Sequence, residues 1–196
     1  YINFLCMYWR HLSEMLDAGE QIYTELKNLV VWAKHAGGMG TFYRSRHELV
    51  FVFKKGTAPH LNTFGLGESG RYRTTVWEYR GMAASGAAQH TELALHPTVK
   101  PVTMIADAIR YSSCRCDIVL DGFGGSGSTL IAAERTGRRA RLVELDPIYV
   151  DRTIRRWQAI AHDDAVLVAT GETFSARAQA DPGGAQSVEN AASATS

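Results

Sequence analysis

A glycine-rich stretch between an apolar run and an alanine-rich run is the part of the sequence best suited to hold a small ligand. It reads DGFGGSGSTL over residues 121–130 and follows the apolar residues 118–120. This order predicts a strand, a tight turn and a helix, and a ligand can lie over such a turn beyond the carboxyl end of the strand. Glu144 ends the next apolar run, where an acid can accept hydrogen bonds from ribose hydroxyls.

Three ligand-binding patterns nearly fit this turn. The G-x-G-x-x-G pattern for dinucleotides fits residues 122–127. The phosphate-loop pattern G-x-x-x-x-G-K-[ST] needs a lysine where Ser128 stands, and serine cannot supply that charge. An F-x-G-x-G pattern at residues 123–127, after the acidic strand end Asp121, suits S-adenosylmethionine, which has no phosphates. The turn alone leaves the dinucleotide and S-adenosylmethionine interpretations open.

A second motif, HPTVKP at residues 96–101, separates these two interpretations. The stretches HPTVKPVTMIADAIR and DIVLDGFGGSGSTLIAAERTGRRARLVELDPIYVD, in this order, closely resemble the carboxyl half of amino-group DNA methyltransferases of the permuted class. The upstream NLVVWAK and GGMGTFYRSRHELVFVFKKG are also similar to this family, so the resemblance spans about residues 1–160. It implies a site-specific DNA methyltransferase of the restriction–modification kind, acting on a flipped base at adenine N6 foremost or at cytosine N4.

The resemblance also implies roles for individual residues. In the family the glycine turn lies under the methionine end of the cofactor, the acid of the next strand holds the ribose, and HPTVKP closes the methionine side. The implied S-adenosylmethionine-binding residues are Thr98, Lys100, Asp121, Phe123, Gly125, Ser126, Gly127 and Glu144. Two positions depart from the family pattern without forbidding binding: Gly122 replaces a proline, which loosens the turn, and Leu142 replaces a common glycine.

The catalytic signature of the family, [DNS]-P-P-[YFW], has no counterpart in this sequence, which contains no Pro-Pro pair. In the permuted order the signature precedes the strand at residues 2–7, so we expect it upstream of Tyr1 and expect no catalytic residue within the chain. The chain is then a fragment missing its N-terminal part and inactive by itself. A catalytically inert DNA- or cofactor-binding remnant is one alternative, and an NAD-dependent oxidoreductase is another.

Arginines beside aromatic residues form a second candidate site. Such a mixture can grip phosphates and unstacked bases, although an ordinary solvated loop would have the same composition. The target-recognition region of the permuted class lies between HELVFVF and HPTVKP, which makes double-stranded DNA the expected partner. The candidate DNA-binding residues are Arg44, Arg46, Arg71 and Arg73.

Alternating strands and helices must position these residues. Apolar runs predict strands at residues 2–7, 26–34, 47–56, 116–121, 138–145 and 165–171, and helical periodicity predicts helices at 10–19, 101–113, 128–137 and 147–161. This alternation predicts an α/β fold with a doubly wound, mostly parallel sheet, and the resemblance makes that sheet Rossmann-like and circularly permuted. Asp146 and Pro147 form a strong helix start, and Gly137 a helix end.

Composition and domain organisation agree with one globular domain. Hydrophobic residues make up 45% and charged residues 21% of the chain, and the net charge of +1 gives no strong overall field. We expect a methyltransferase domain at residues 1–179, made of a partial catalytic-side subdomain (1–56), a target-recognition segment (57–95) and a cofactor-binding part (96–179). Residues 180–196 lack aromatic and basic residues and predict a disordered tail. Three reduced cysteines and no apolar run of about 20 residues suit a cytoplasmic protein. The resemblance implies a bacterial or phage protein that needs no metal.

Overall fold

The computed structural model describes residues 1–38, 42–61, 73–81 and 99–180. Strands and helices alternate within them, which confirms the predicted α/β fold. In chain order they are β1 (Ile2–Met7), α1 (Leu12–Ile22), β2 (Glu25–Ala33), β3 (His47–Lys54), β4 (Val76–Glu78), α2 (Val102–Ser112), β5 (Ile118–Asp121), α3 (Ser128–Thr136), β6 (Arg139–Leu142), α4 (Pro147–Ala161) and α5 (Phe174–Ala180).

Four strands form a mixed sheet in the order β1-β3-β2-β4. β3 is antiparallel to both of its neighbours, whereas β2 and β4 are parallel. The antiparallel placement of β3 departs from the predicted mostly parallel sheet. Its cause is the connection from β2: the described residues of that connection contain no helix to carry the chain back across the sheet, so β3 returns beside β2 as in a hairpin.

Side chains of β3 alternate between two cores, one on each face of this sheet. Leu49, Phe51 and Phe53 pack on one face with residues of α1, and Val50 and Val52 pack on the other. A strand buried on both faces reads as a continuous apolar run, as HELVFVFK does. Helix α1 approaches closely because its buried Gly19 has no side chain: a Cβ there would lie 2.2 Å from the ring of Phe53.

β5 and β6 form a separate parallel pair joined through α3, which is the predicted strand–helix–strand unit. One face of this pair packs on helices through Val119 and Ala140. On the other face Ile118 and Leu120 are 58% and 75% exposed, and no element within the described ranges covers them. In the same part of the chain, no backbone ladder joins β5 to β1.

Helix α2 links the two sheets by packing on both. Met104 belongs to the core beneath the four-stranded sheet, whereas Ala106 and Ile109 pack against alanines of α3. Because Met104 and Ala106 lie on different faces of one helix, the position of α2 fixes the glycine turn relative to the larger sheet.

Local signals for helix ends are confirmed. Asp146 caps α4 by accepting from the amide of Ile148 at 2.9 Å, and Gly137 ends α3 with a φ of 69°.

The predicted strand at residues 165–171 is wrong, because only an isolated bridge between Val166 and Thr173 forms there and α5 follows. Helix α5 reaches residue 180, the predicted first residue of the tail, and residues 181–196 lie outside the described ranges.

Candidate functional site

Asp121 joins the end of β5 to the start of α3 across the glycine turn. Its Oδ1 accepts a hydrogen bond from the amide of Phe123 at 2.9 Å, and its Oδ2 accepts from Oγ1 of Thr129 at 2.6 Å. A carboxylate that accepts two such bonds fixes both ends of a turn that its glycines would otherwise leave loose. Asp121 is therefore a structural support of the turn, whatever it contributes to a ligand.

The backbone amides of the glycine turn are largely bonded within the protein. The amide of Gly124 donates to the carbonyl of Val143 at 2.9 Å, and that of Gly127 donates to the carbonyl of Gly124 at 2.9 Å. The amide of Gly125 donates to Oε2 of Glu144 at 2.6 Å. Dinucleotide and phosphate-loop turns instead direct amides of this kind at phosphate oxygens. This geometry favours a ligand that needs no phosphate cradle.

Glu144 lies just beyond β6 and reaches back to the turn after β5. Besides Oε2, which is bonded to Gly125, its Oε1 accepts from the amide of Asp146 at 3.0 Å. Both carboxylate oxygens therefore lie at the glycine turn, at the strand end where an acid is expected to hold ribose hydroxyls. The predicted ribose-holding residue thus also holds the turn in place.

Two residues of α4 donate side-chain hydrogen bonds to the glycine turn, and neither was predicted from the sequence. Oγ1 of Thr153 donates to the carbonyl of Gly125 at 2.9 Å, and Nη1 of Arg156 donates to the carbonyl of Ser126 at 3.0 Å and to Oγ of Ser128 at 3.2 Å. Ser126 and Ser128 are buried. The only sequence signal was the three-residue spacing of Thr153 and Arg156, which puts them on one side of a helix.

Two apolar side chains, one in the turn and one just after Glu144, are exposed. Phe123 and Leu145 are 92% and 96% exposed, and a Cβ built on Gly122 would meet nothing within 4 Å. Ligand sites commonly combine accessible apolar side chains with a few polar groups. Phe123, predicted to pack against the cofactor, is therefore accessible to one.

Lys100 lies in a charge cluster with Glu48 and Lys34. Oε1 of Glu48 is 3.5 Å from Nζ of Lys100, and its Oε2 is 2.9 Å from Nζ of Lys34. Nζ of Lys34 also lies 4.5 Å above the ring of Trp32. Glu48 was not predicted to have a role, because only the fold brings residue 48 next to residue 100. Thr98, the other predicted residue of this motif, lies outside the described residues.

The cluster and the glycine turn share one edge of the molecule. Burial raises the pKa of the Cys6 thiol to about 11, and the charges of Lys100, Glu48 and Asp121 also act on that pKa. Cys6 is near the carboxyl end of β1, and Asp121 ends β5. The carboxyl ends of β1 and β5 therefore lie at the same side, which is where ligands bind in open α/β sheets.

Arg73, predicted to contact DNA, is held by three side chains of its own protein. Its guanidinium donates to the hydroxyls of Tyr111 at 2.9 Å and Tyr79 at 3.0 Å, and to Oδ2 of Asp107 at 2.6 Å. Tyr79 also donates to the same carboxylate oxygen at 2.6 Å, and Arg110 lies 3.2 Å from the other oxygen. Burial raises the pKa of Tyr79 to about 12. Partial burial alone would raise the pKa of Asp107, but the hydrogen bonds from Tyr79 and Arg73 outweigh it and hold that pKa below its ordinary value.

The other predicted DNA-binding arginines occupy different surroundings. Arg44 donates from Nε to the carbonyl of Gly38 at 3.0 Å and from Nη2 to that of Gly37 at 2.9 Å, so its guanidinium braces the connection between β2 and β3. Arg46 lies at the end of the same connection, and its carbonyl accepts from the amide of Lys34 at 2.8 Å. Arg71 lies outside the described residues. The structure does not bring Arg73 together with Arg44 and Arg46 in a described contact.

The described ranges lack two kinds of feature. No cluster of three or more His, Cys, Asp or Glu residues suited to a metal ion occurs among them. None of the helices found there combines the length and apolar character needed to cross a membrane.

Comparison with known proteins gives one family match. The family described as DNA methylase matches residues 1–155, which include the turn, the charge cluster and both sheets. The Type II methyltransferase M.Cfr9I of Citrobacter freundii is 30% identical over 142 residues, which cover 68% of this chain and 44% of M.Cfr9I. The Type II methyltransferase M.ScaI of Streptomyces caespitosus is 29% identical over 92 residues, covering 47% of this chain and 30% of M.ScaI. The chain spans about half, or less, of the length of the curated relatives it matches.

Solved structures share the fold. The S-adenosylmethionine complex of M1.HpyAVI aligns with a TM-score of 0.63 at 23% identity, covering 79% of this chain and 73% of that one. The PvuII DNA methyltransferase, named as cytosine-N4-specific, aligns with a TM-score of 0.58 at 22% identity, covering 76% of this chain and 56% of that one. At these identities the likeness establishes the α/β methyltransferase fold.

Proposed function

The chain belongs to the DNA methylase family, and from this premise we propose that it forms the cofactor- and DNA-binding part of a site-specific DNA methyltransferase. S-adenosylmethionine is the proposed cofactor, and double-stranded DNA is the proposed partner. One observation carries the proposal: the amides of the glycine turn bond within the protein, while the carboxylates of Asp121 and Glu144 close the turn. Such a turn suits an adenosine ligand without phosphates.

The surroundings of the turn fit S-adenosylmethionine. Glu144, at the end of the strand that follows the turn, would hold the ribose hydroxyls, and the exposed Phe123 would pack against the cofactor. Residues 125–127 would lie under the methionine end. Lys100, with Thr98 before it, would close the methionine side, and Glu48 already restrains the ammonium group of Lys100. The cofactor, when bound, supplies a methyl group activated on a sulfonium.

The protein's part in such a transfer is positioning. A methyl sulfonium is reactive by itself, so the reaction gains most from holding an exocyclic amino group in line with the methyl carbon. The braces from Asp121, Glu144 and Thr153 keep the turn fixed while a base enters, because they need no rearrangement to do so. We propose adenine N6 as the acceptor, with cytosine N4 as the alternative.

We also propose that the catalytic signature, [DNS]-P-P-[YFW], follows a strand that lies between β1 and β5. Both strands present an edge to which no described strand is bonded, and both end at the side that carries the glycine turn and Lys100. A strand placed there would bring its following residues to the proposed cofactor. In the alternative, an inert binding remnant, no strand would lie between β1 and β5.

Isothermal titration calorimetry tests the ligand. S-adenosylmethionine and S-adenosylhomocysteine should bind more tightly than NAD, because NAD brings a pyrophosphate to a turn whose amides are already bonded. Tighter binding of NAD would contradict the proposal. Transfer of radiolabelled methyl to duplexes with either adenine or cytosine as the sole amino acceptor, once the catalytic motif is supplied, would identify the target base. Ligand binding without any transfer would favour the inert remnant.

A further inference from the structure

Two adjacent aromatic residues stand out on the connection between β2 and β3. Phe42 and Tyr43 are each 85% exposed, and their rings meet edge to face with centroids 4.5 Å apart. Aromatic side chains dominate cores and interfaces because their burial is strongly favourable, so a pair left in water implies a surface that is covered in a complex.

The connection is braced behind this pair. The guanidinium of Arg44 is turned onto the carbonyls of Gly37 and Gly38, and the amide of Gly38 donates to the carbonyl of Ser45 at 2.8 Å. The fit is close, since a Cβ on Gly37 would lie 3.3 Å from Cβ of Arg44. Arg44, which was predicted to bind DNA, therefore also supports the backbone next to the aromatic pair.

Charge identifies the kind of partner. Between His35 and Arg46 the sequence contains no Asp or Glu, whereas Arg44 and Arg46 are both cationic. Exposed aromatic rings in a cationic setting are the features with which proteins bind unstacked nucleic-acid bases: the charge attracts the backbone, and the rings stack on bases. Acidic residues would repel the phosphates of a nucleic acid, whereas an apolar protein partner gives no reason for their absence.

The position of the pair agrees with such a role. The connection enters β3 at His47, and the next residue, Glu48, holds Lys100 at the edge that carries the glycine turn. The aromatic pair thus belongs to the side of the molecule where the proposed cofactor binds. We propose that Phe42 and Tyr43 form a stacking surface for a base that has left the DNA helix. This proposal rests on the proposed function and deepens it by assigning a base contact.

Binding of fluorescent duplexes to the 196-residue chain, with S-adenosylhomocysteine present, tests the proposal. The duplexes are a fully paired one, one with a single bulged adenine and one with a single bulged thymine. Wild type should bind at least one bulged duplex about tenfold or more tightly than the paired duplex, the effect of stacking one base on an aromatic ring. The Phe42→Ala/Tyr43→Ala variant should lose this preference and keep its affinity for the paired duplex.

Two controls make the result specific. Tyr43→Phe keeps the ring and should keep the preference, because stacking needs no hydroxyl. Tyr1→Ala removes another exposed aromatic side chain, at the start of β1 and so at the opposite end of the sheet, and should change nothing. A preference for bulged adenine alone would identify the target base as the stacked one, a preference for bulged thymine alone would identify its displaced partner, and equal preference would indicate a surface that stacks either base.

The outcomes separate this inference from the proposed function. A double variant that keeps the wild-type preference overturns the stacking surface and leaves the proposed function standing, and a wild type with no preference for either bulge does the same. A wild type that binds neither S-adenosylhomocysteine nor any duplex overturns both.

Discussion

Oε2 of Glu144, just beyond β6, accepts a hydrogen bond of 2.6 Å from the amide of Gly125 in the turn after β5. The acid expected to touch the ribose therefore also sets the position of the turn beneath the cofactor. Glu144→Ala should weaken S-adenosylmethionine binding by about 1–3 kcal/mol, because hydrogen-bonding groups lose their partner. Calorimetry measures this loss, and Glu20→Ala, an exposed change on α1, is the matched control. Equal affinity of wild type and Glu144→Ala would remove Glu144 from the ligand site.

Substitution by alanine should change the free energy of unfolding differently at Gly122 and at Gly127. Gly127 has a φ of 76°, and a Cβ there would lie 2.6 Å from Cγ2 of Thr153, whereas a Cβ on Gly122 meets nothing within 4 Å. Gly127→Ala should lower the free energy of unfolding by at least about 1–2 kcal/mol, the cost of a left-handed non-glycine residue. Gly122→Ala should leave it unchanged or raise it by about 0.4–1 kcal/mol through lower entropy of the unfolded chain. Urea unfolding monitored by circular dichroism compares the two, and equal losses would disprove this account of the turn.

Arg73 should matter for stability more than for DNA charge contacts. Its guanidinium is bonded to Tyr79, Asp107 and Tyr111, so Arg73→Ala should lower the free energy of unfolding by about 1 kcal/mol, allowing for solvent screening of a partly exposed group. The salt dependence of DNA binding should stay unchanged in Arg73→Ala, while Arg71→Ala should reduce its slope by about one unit. Arg80→Ala, an exposed change in the same segment, is the stability control. A reduced slope in Arg73→Ala with unchanged stability would restore it as a phosphate contact.

The three thiols should differ in reactivity. Burial raises the pKa of Cys6 to about 11 from an ordinary value of 9.0, while Cys114 and Cys116 are exposed. Iodoacetamide at pH 8.5 should modify Cys114 and Cys116 quickly and Cys6 only after unfolding, which peptide mass spectrometry resolves. A thiol with a raised pKa keeps its proton more tightly in the folded state than in the unfolded state. Its contribution to the free energy of unfolding is therefore complete below pH 9 and is lost as the pH rises towards 11. Cys6→Ser should remove that part of the pH dependence, and labelling of the half-buried Cys6 in the native protein as fast as that of Cys114 and Cys116 would contradict its raised pKa.

A strand supplied between β1 and β5 should stabilise the fold. Ile118 and Leu120 are 58% and 75% exposed on β5, and within the described residues β1 and β5 each have one edge to which no strand is bonded. Unpaired edges flanked by apolar side chains favour aggregation. A version with an added segment carrying [DNS]-P-P-[YFW] and its strand ahead of Tyr1 should therefore unfold more cooperatively and methylate duplex DNA, whereas residues 1–196 alone should not. Methyl transfer by the 196-residue chain would reveal a catalytic group within it.

Local signals in the sequence were sufficient where the structure depends on neighbours in the chain. Asp146 and Pro147 predicted the start of α4, and Gly137 the end of α3, because caps involve residues within one turn. The direction of β3 was not predictable in this way, since apolar periodicity specifies a strand but not its partner.

The supports of the site were hidden from the sequence for a related reason. Glu48 and Lys100 meet across 52 positions of the chain, and Arg73 and Asp107 across 34. Each of these residues alone reads as an ordinary solvated charge. Thr153 was hidden by its setting in an amphipathic helix, where a polar residue usually faces water. Only the packing of α2 and α4 brings these groups to their partners.

The attachment of α2 to residues 73–81 holds one short segment of the chain apart from the glycine turn. Asp107 holds Arg73 and Tyr79, and the carbonyl of Tyr79 accepts from the indole of Trp32 at 3.0 Å, so this short segment is fixed from two sides. Under the proposed function, the stretches on either side of it carry target recognition. The contacts described for this segment involve Trp32, Asp107 and Tyr111 rather than Glu144 or Thr153; we therefore expect that the recognition sequence can change in a lineage that keeps the hydrogen bonds of the glycine turn.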